Sequence, residues 1–148
     1  MTLILGEETL SSDQWLANAD SFIGGAEKIV QSQVTGSVGL AVGLLVWQGV
    51  EDSLKAVCVG HSNPHEHDFS PIINHIKSNS IMSQPELLKI CNALSVVTGS
   101  ATYNSTRYPE NDSQYWQSKP QNELVKVTEA ARLIYSICTT NIKSNKAV

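Results

Sequence analysis

Hydrophobic residues recur at intervals of three and four along most of the chain, which is the spacing of an amphipathic α-helix. The first such stretch follows Asp13, a candidate N-cap, and predicts a helix of about five turns. Gly24 and Gly25 lie inside it, where they either weaken the helix or allow a close helix crossing. The predicted core face comprises Trp15, Ala19, Phe22, Ile23, Ala26, Ile29 and Val30.

The second predicted helix is the most apolar part of the chain. It has Ser37 as a candidate N-cap and ends at Gly60. A helix that is apolar on nearly all sides is usually the central helix of a bundle or part of an interface between chains. Its second half carries charged residues, which argue against a membrane span. These residues are Glu51, Asp52 and Lys55.

Two helices are predicted in the middle of the chain. The first is short and begins at Ser70-Pro71, because proline suits the first turn of a helix. The second has Ser83 as its N-cap. We expect it to end near Arg107, because a proline at 109 disfavours the helical conformation for the residue before it.

The last predicted helix begins near Asn122, and the polar tail after Asn141 is expected to fray. Before it, Trp116 lies in a polar loop, where it either covers the end of the bundle or contacts a partner. The pattern as a whole predicts one all-α domain spanning 1–148, with peripheral tails at 1–12 and 142–148. Its architecture is an up-and-down bundle of four long helices plus one short helix.

Composition narrows the classes of function. Hydrophobic residues make up 41% of the chain and charged residues 16%, as in globular proteins. The net charge of −4 gives no indication of a broad basic face for nucleic acid but leaves room for a local site of one or two cations. The N-terminal residues lack a signal-peptide pattern, so we expect a cytoplasmic protein. Cys58, Cys91 and Cys138 are accordingly expected to be reduced thiols in the core.

A set of polar residues is ordered along the chain in a recognisable way. The predicted central helix carries Glu51 and Lys55-Ala56, the following loop carries His67-Asp68, and Tyr103 precedes Arg107-Tyr108-Pro109. This order and spacing resemble the HEPN family, whose name marks it as nucleotide-binding. The resemblance covers the chain from about 15 to about 142.

The resemblance implies a helical bundle that commonly pairs with itself. Many members are encoded beside a small nucleotidyltransferase, often as a toxin–antitoxin pair, and others are metal-independent ribonucleases. Those ribonucleases carry an arginine followed about four to six residues later by a histidine. The arginine binds the phosphate, and the histidine transfers protons. Here no histidine follows Arg107 or Arg132, because the last histidine is His75. The usual ribonuclease motif is therefore absent.

The sequence thus predicts an HEPN-like homodimeric module that binds a nucleotide or RNA phosphate, without catalysis. The predicted ligand site comprises Glu51, Lys55, His67, Asp68, Tyr103, Arg107 and Tyr108. One alternative is a pure protein-interaction subunit, with a nucleotidyltransferase as partner. Another is a metal-independent ribonuclease with a composite site of His67 and Arg107. No cofactor is expected, and the spacing of the histidines matches no common zinc site.

Several of these residues also have purely structural interpretations. Glu51 and Lys55 are four residues apart, as in an ordinary intrahelical ion pair, and they can tie the helix to the loop of His67. Arg107 can satisfy carbonyls at a helix end. The rings of Tyr103 and Tyr108 can pack in the core or in an interface.

Overall fold

The computed structural model describes residues 10–32, 38–61, 67–99, 101, 106 and 114–146. These residues form six helices and no strand, which confirms the predicted all-α class. The helices are α1 (Ser12–Gln31), α2 (Gly39–Cys58), α3 (Phe69–Ser78), α4 (Gln84–Thr98), α5 (Gln114–Gln117) and α6 (Gln121–Lys146). Among them, none combines the length and apolar character needed to cross a membrane.

The apolar helix α2 is the centre of the fold. It packs against α1 and α6 along its length and also contacts α3 and α5. Four of its aliphatic side chains are inaccessible to solvent, namely Val42, Val46, Val50 and Leu54. Of the two positions that an all-round apolar helix can take, the structure therefore shows the central one.

Glycines in α2, rather than those in α1, mark the closest approaches between helices. A Cβ at Gly49 would lie 2.5 Å from Cγ1 of Ile23 in α1, and a Cβ at Gly43 would overlap the indole of Trp116. At Gly24 and Gly25 the nearest neighbour of a Cβ would be at 3.9 and 3.6 Å, which is ordinary contact. The tight helix crossing expected at the α1 glycines is therefore at α2 instead.

Trp116 belongs to the core. It lies in the short helix α5 rather than in a loop and is fully buried. Its Nε1 donates to Thr106 Oγ1 at 2.9 Å, which satisfies the buried indole N–H. Of the two roles predicted for this residue, it covers the bundle and does not present a surface to a partner.

Two N-cap predictions are wrong and one is confirmed. The cap of α1 is Ser11, whose side chain forms a capping box with Gln14, and Asp13 lies in the first turn. The cap position of α2 is Val38 rather than Ser37. Ser83 caps α4 as predicted, because Glu86 three residues later completes its capping box.

Two helix ends also differ from prediction. Helix α4 ends at Thr98, because Gly99 adopts a φ of +50° that breaks the helix well before the proline at 109. Helix α6 continues past Asn141 to Lys146, so the tail does not fray at the predicted point. The reason is that Asn141 and Ile142 are buried, and the Asn141 amide donates to the carbonyl of Ile81.

The three cysteines are free thiols but do not share one environment. Cys58 and Cys138 are buried in the core, as predicted. Cys91 is exposed on α4, so its predicted place in the core is wrong. The residues of α4 on either side of it, Ile90 and Asn92, are respectively buried and exposed, so Cys91 falls just outside the buried face.

Candidate functional site

Three ionisable side chains in the second half of α2 are buried. Glu51, Asp52 and Lys55 are each at most 2% exposed. Lys55 Nζ lies 3.1 Å from Glu51 Oε2, so the two residues form an ion pair along one helix face. Gln48 donates from Nε2 to Asp52 Oδ1 at 2.8 Å. Burial of charged groups is costly unless they are paired, and these contacts supply partners.

His67 extends the ion pair to the surface. Its Nδ1 lies 3.2 Å from Glu51 Oε2, the same oxygen that contacts Lys55. The His67 side chain is 47% exposed, whereas that of Glu51 is 2% exposed. We call Glu51, Lys55 and His67 the buried network. Glu51 and Lys55 are buried, and the side chain of His67 reaches solvent.

The backbone of His67 is fixed by aromatic residues. Trp47 donates from Nε1 to the carbonyl of His67 at 3.0 Å. The ring of Trp47 also stacks on Phe69, with centroids 4.5 Å apart and an angle of 24° between the ring planes. Trp47 precedes Glu51 by one helical turn, so a single face of α2 holds both the main chain and the ring of His67.

Helix α1 covers the inner side of the buried network. Lys55 Nζ lies 5.8 Å from the centroid of the Trp15 ring, within the range of a cation–π contact. Ser12 donates to the carbonyl of Ala56 at 2.9 Å and so ties the start of α1 to α2. These contacts explain why Lys55 is fully buried although it carries a charge.

Two polar atoms at this site have no hydrogen-bond partner among the described residues. They are Oε1 of Glu51 and Nε1 of Trp15, an acceptor and a donor, and both are buried. An unsatisfied buried polar atom costs about 1–3 kcal/mol. Such a cost is usually offset by a bound water, a ligand or a further part of the chain.

The arrangement has a definite chemistry. When Nδ1 of His67 donates to Glu51, the ring orientation is fixed and Nε2 carries the lone pair, so Nε2 can accept a proton and, once protonated, can donate to an anion. A histidine oriented by a carboxylate is suited both to binding a phosphate oxygen and to proton transfer.

The structure brings together three of the seven predicted site residues. Glu51, Lys55 and His67 are in direct contact, as the structural interpretation of a network between α2 and the His67 loop requires. Asp68 occupies the N-cap position of α3 and is exposed. The remaining three residues lie outside the described part of the chain, namely Tyr103, Arg107 and Tyr108.

Sequence reasoning missed the residues that support the network. The spacing of Trp47 predicts only a core residue, whereas its indole N–H also donates to the carbonyl of His67. The contact of Trp15 with Lys55 crosses from one helix to another and has no local signal. The spacing of Trp47, Glu51 and Lys55, each four residues apart, was the available indication that these side chains share a face.

Metal binding has no support in the described part of the chain, where no three histidine, cysteine or acidic side chains are grouped to hold an ion. Comparison of the chain with known protein families, curated proteins and solved structures finds no match.

Proposed function

We propose that this chain is an HEPN-like bundle of four long helices that binds the phosphate of a nucleotide or of RNA at the exposed end of the buried network. The observation that carries the proposal is the half-exposed ring of His67, hydrogen-bonded to a carboxylate that is buried together with its lysine. This arrangement places an oriented imidazole at the surface.

Stability alone does not account for such a network. A buried ion pair contributes no more than a well-packed pair of hydrophobic side chains would, and often less. Glu51 also retains an oxygen without a partner among the described residues, which adds to the cost. Functional sites often contain a network of this kind, which lowers the stability of the fold and reaches solvent at one residue.

The other members of the proposed site come from the family resemblance. A guanidinium such as that of Arg107 binds phosphate oxygens in a bidentate manner. The rings of Tyr103 and Tyr108 are suited to stacking on a base. Asp68, adjacent to His67 in the chain, would contact the sugar or a base N–H. With a net charge of −4, the chain would bind a few phosphates at one place rather than a long stretch of nucleic acid.

Binding is tested by titrating the protein with ATP, GTP and short RNAs in a calorimeter. We expect saturable binding by the wild type and a loss of at least roughly tenfold in affinity for His67→Ala, because a charge-assisted hydrogen bond to phosphate is removed. His75→Ala is the matched control, since His75 bonds the carbonyl of His61 and not Glu51. Absence of binding at millimolar ligand would contradict the proposal.

A second candidate function is metal-independent cleavage of RNA. The hydrogen bond between Glu51 and His67 favours it, because a carboxylate-oriented imidazole can take the proton of a ribose 2′-hydroxyl. Arg107 would stabilise the negative charge that develops on the phosphate. The absent Arg-to-His motif makes binding without cleavage the leading proposal.

Cleavage is measured with purified protein and RNA in EDTA, beside His67→Ala and Arg107→Ala. Activity lost in both variants would establish a ribonuclease with a composite site. No activity in the wild type would leave binding as the function.

The resemblance also supports two proposals about partners. The module would pair with a second copy of itself, and it would act beside a small nucleotidyltransferase, as in a toxin–antitoxin pair. If neither nucleotide nor RNA binds, the alternative of a pure interaction subunit gains support. Co-expression with a neighbouring nucleotidyltransferase, followed by co-purification, tests it.

A further inference from the structure

Exposed aliphatic side chains are concentrated on two helices, α4 and α6, which pack against each other. Among the described residues five large hydrophobic side chains are exposed. Four of them lie on α4 and α6, namely Leu88, Val96, Val125 and Leu133. The fifth, Val59, follows the end of α2. Concentration of exposed apolar surface on two packed helices indicates an interaction site, whereas single scattered hydrophobic residues do not.

Two of them, Val96 and Leu133, line a groove between the two helices. Helices α4 and α6 run antiparallel, because the first residues of α4 and the last turns of α6 line one polar depression. Further along, the small side chains of Ala93 and Ala130 lie between Val96 and Leu133 in a groove of about 580 Å³. We call this surface the α4–α6 groove. Alanines between larger aliphatic walls leave room for side chains from outside.

The charged residues that line the groove differ in sign from the protein as a whole. Lys89 and Lys126 each contribute a positive charge, and Glu129 contributes a single negative charge. The groove is therefore net positive on a chain whose formal net charge is −4. Complementary charges favour partners with acidic groups around an apolar centre.

We propose that the α4–α6 groove binds an amphipathic helix of another protein that carries aliphatic side chains on one face and carboxylates along its edges. The distance between Lys89 and Val96 along α4, seven residues, corresponds to about 10 Å, the reach of two helical turns. That strip suits aliphatic anchors at positions i, i+4 and i+7 of one helix.

The probes for the test are two synthetic peptides with identical leucine positions at i, i+4 and i+7. One has glutamates flanking the leucines and the other has lysines, so only the sign of the charge differs. Binding to the full chain is followed by fluorescence anisotropy. We expect the acidic peptide to bind at least roughly tenfold more tightly than the basic one, because two exposed charge contacts change from attractive to repulsive.

Variants of the chain locate the binding surface. Leu133→Asp should abolish binding of the acidic peptide, whereas Val59→Asp, at an exposed hydrophobic residue that does not line the groove, should leave it unchanged. Lys89→Glu combined with Lys126→Glu should reverse the preference toward the basic peptide. Circular dichroism of each variant checks that the helices remain, so loss of binding is not loss of fold.

Three results would overturn the proposal. The first is equal binding, or no binding, of the two peptides. The second is equal weakening by Val59→Asp and Leu133→Asp. The third is a wild-type dimer in analytical ultracentrifugation that becomes monomeric in Leu133→Asp, because the groove would then be covered by a second copy of this chain.

Discussion

Lys55 and Glu51 show how a single helix turn can hold charge inside an apolar core. Both side chains are almost completely buried, and their charged atoms are 3.1 Å apart. Each charge compensates the other in a medium where an isolated ion is very costly. The two residues are therefore expected to behave as one unit when they are mutated.

Lys55→Met is expected to lower the free energy of unfolding by about 3–5 kcal/mol, because it leaves a buried carboxylate without its cation. Combining it with Glu51→Leu should restore most of that loss, since neither charge of the pair remains. Urea unfolding measures both. The double variant should fold and yet fail to bind nucleotide or RNA, which separates stability from function. A single-variant cost below about 1 kcal/mol would contradict the pairing.

The cysteines differ in reactivity because they differ in burial. Burial raises the pKa of the Cys58 thiol from 9.0 to about 12, and the charge of Lys55 opposes this only in part. Burial likewise raises the pKa of Cys138. At pH 8 we expect a thiol reagent to modify Cys91 in the native protein, and to modify the other two only after unfolding. Rapid native modification of all three would show that the core is not closed.

The buried thiol of Cys58 makes the free energy of unfolding depend on pH. A folded-state pKa above the unfolded value means that the contribution of Cys58 is fully present below pH 9 and is lost as the pH rises through about 12. The unfolded chain ionises first and is favoured in that window. Urea unfolding at pH 8 and pH 10 should show a decline that is smaller in Cys58→Ala. An equal decline in both proteins would assign the effect to other groups.

Among the helices, the close contact between α2 and α5 depends on Gly43, which has no side chain. The indole of Trp116 occupies the space that a Cβ at Gly43 would fill. Gly43→Ala is expected to destabilise the protein by about 1–3 kcal/mol, as overpacking does. Gly24→Ala is the matched control, because its Cβ would meet nothing closer than 3.9 Å and should stabilise α1 by up to about 1 kcal/mol. Thermal unfolding compares them, and equal shifts would contradict the tight contact.

The elements that could be predicted from the sequence are those with local signals. The helical class follows from the three- and four-residue spacing, and the start of α4 follows from Ser83 and Glu86, which lie within one turn. The end of α4 was misplaced because Gly99 stops the helix before the proline whose effect was anticipated. The burial of Trp116 could not be predicted, since it depends on Gly43, far away in the chain.

The candidate site was predictable in part for the same reason. Glu51 and Lys55 share a helix face by spacing alone, and the structural interpretation joined that face to His67. The depth of their burial was not predictable, because Trp15 of α1 covers Lys55 from another element.

In the molecule as a whole, the last helix, α6, packs against the first helix, α1. Arg132 donates from Nε and Nη2 to the two carboxylate oxygens of Glu27 in α1, at 3.2 and 2.7 Å, and from Nη1 to Asp20. The hydrogen bond to Glu27 raises the pKa of Arg132 further above its usual range. None of the residues that line the α4–α6 groove belongs to the buried network, so the proposed phosphate site and the proposed helix-binding groove use different residues.

In the proposed site, His67 presents an oriented ring to a phosphate. The most direct test of this contact is nitrogen NMR of the histidine side chains in the wild-type protein during titration with ATP and a short RNA. We expect the ring nitrogens of His67 to shift and saturate while those of His75, bonded to the carbonyl of His61, stay in place. If His67 does not move at millimolar ligand, or if all histidines move together, the buried network is a structural feature and not a binding site.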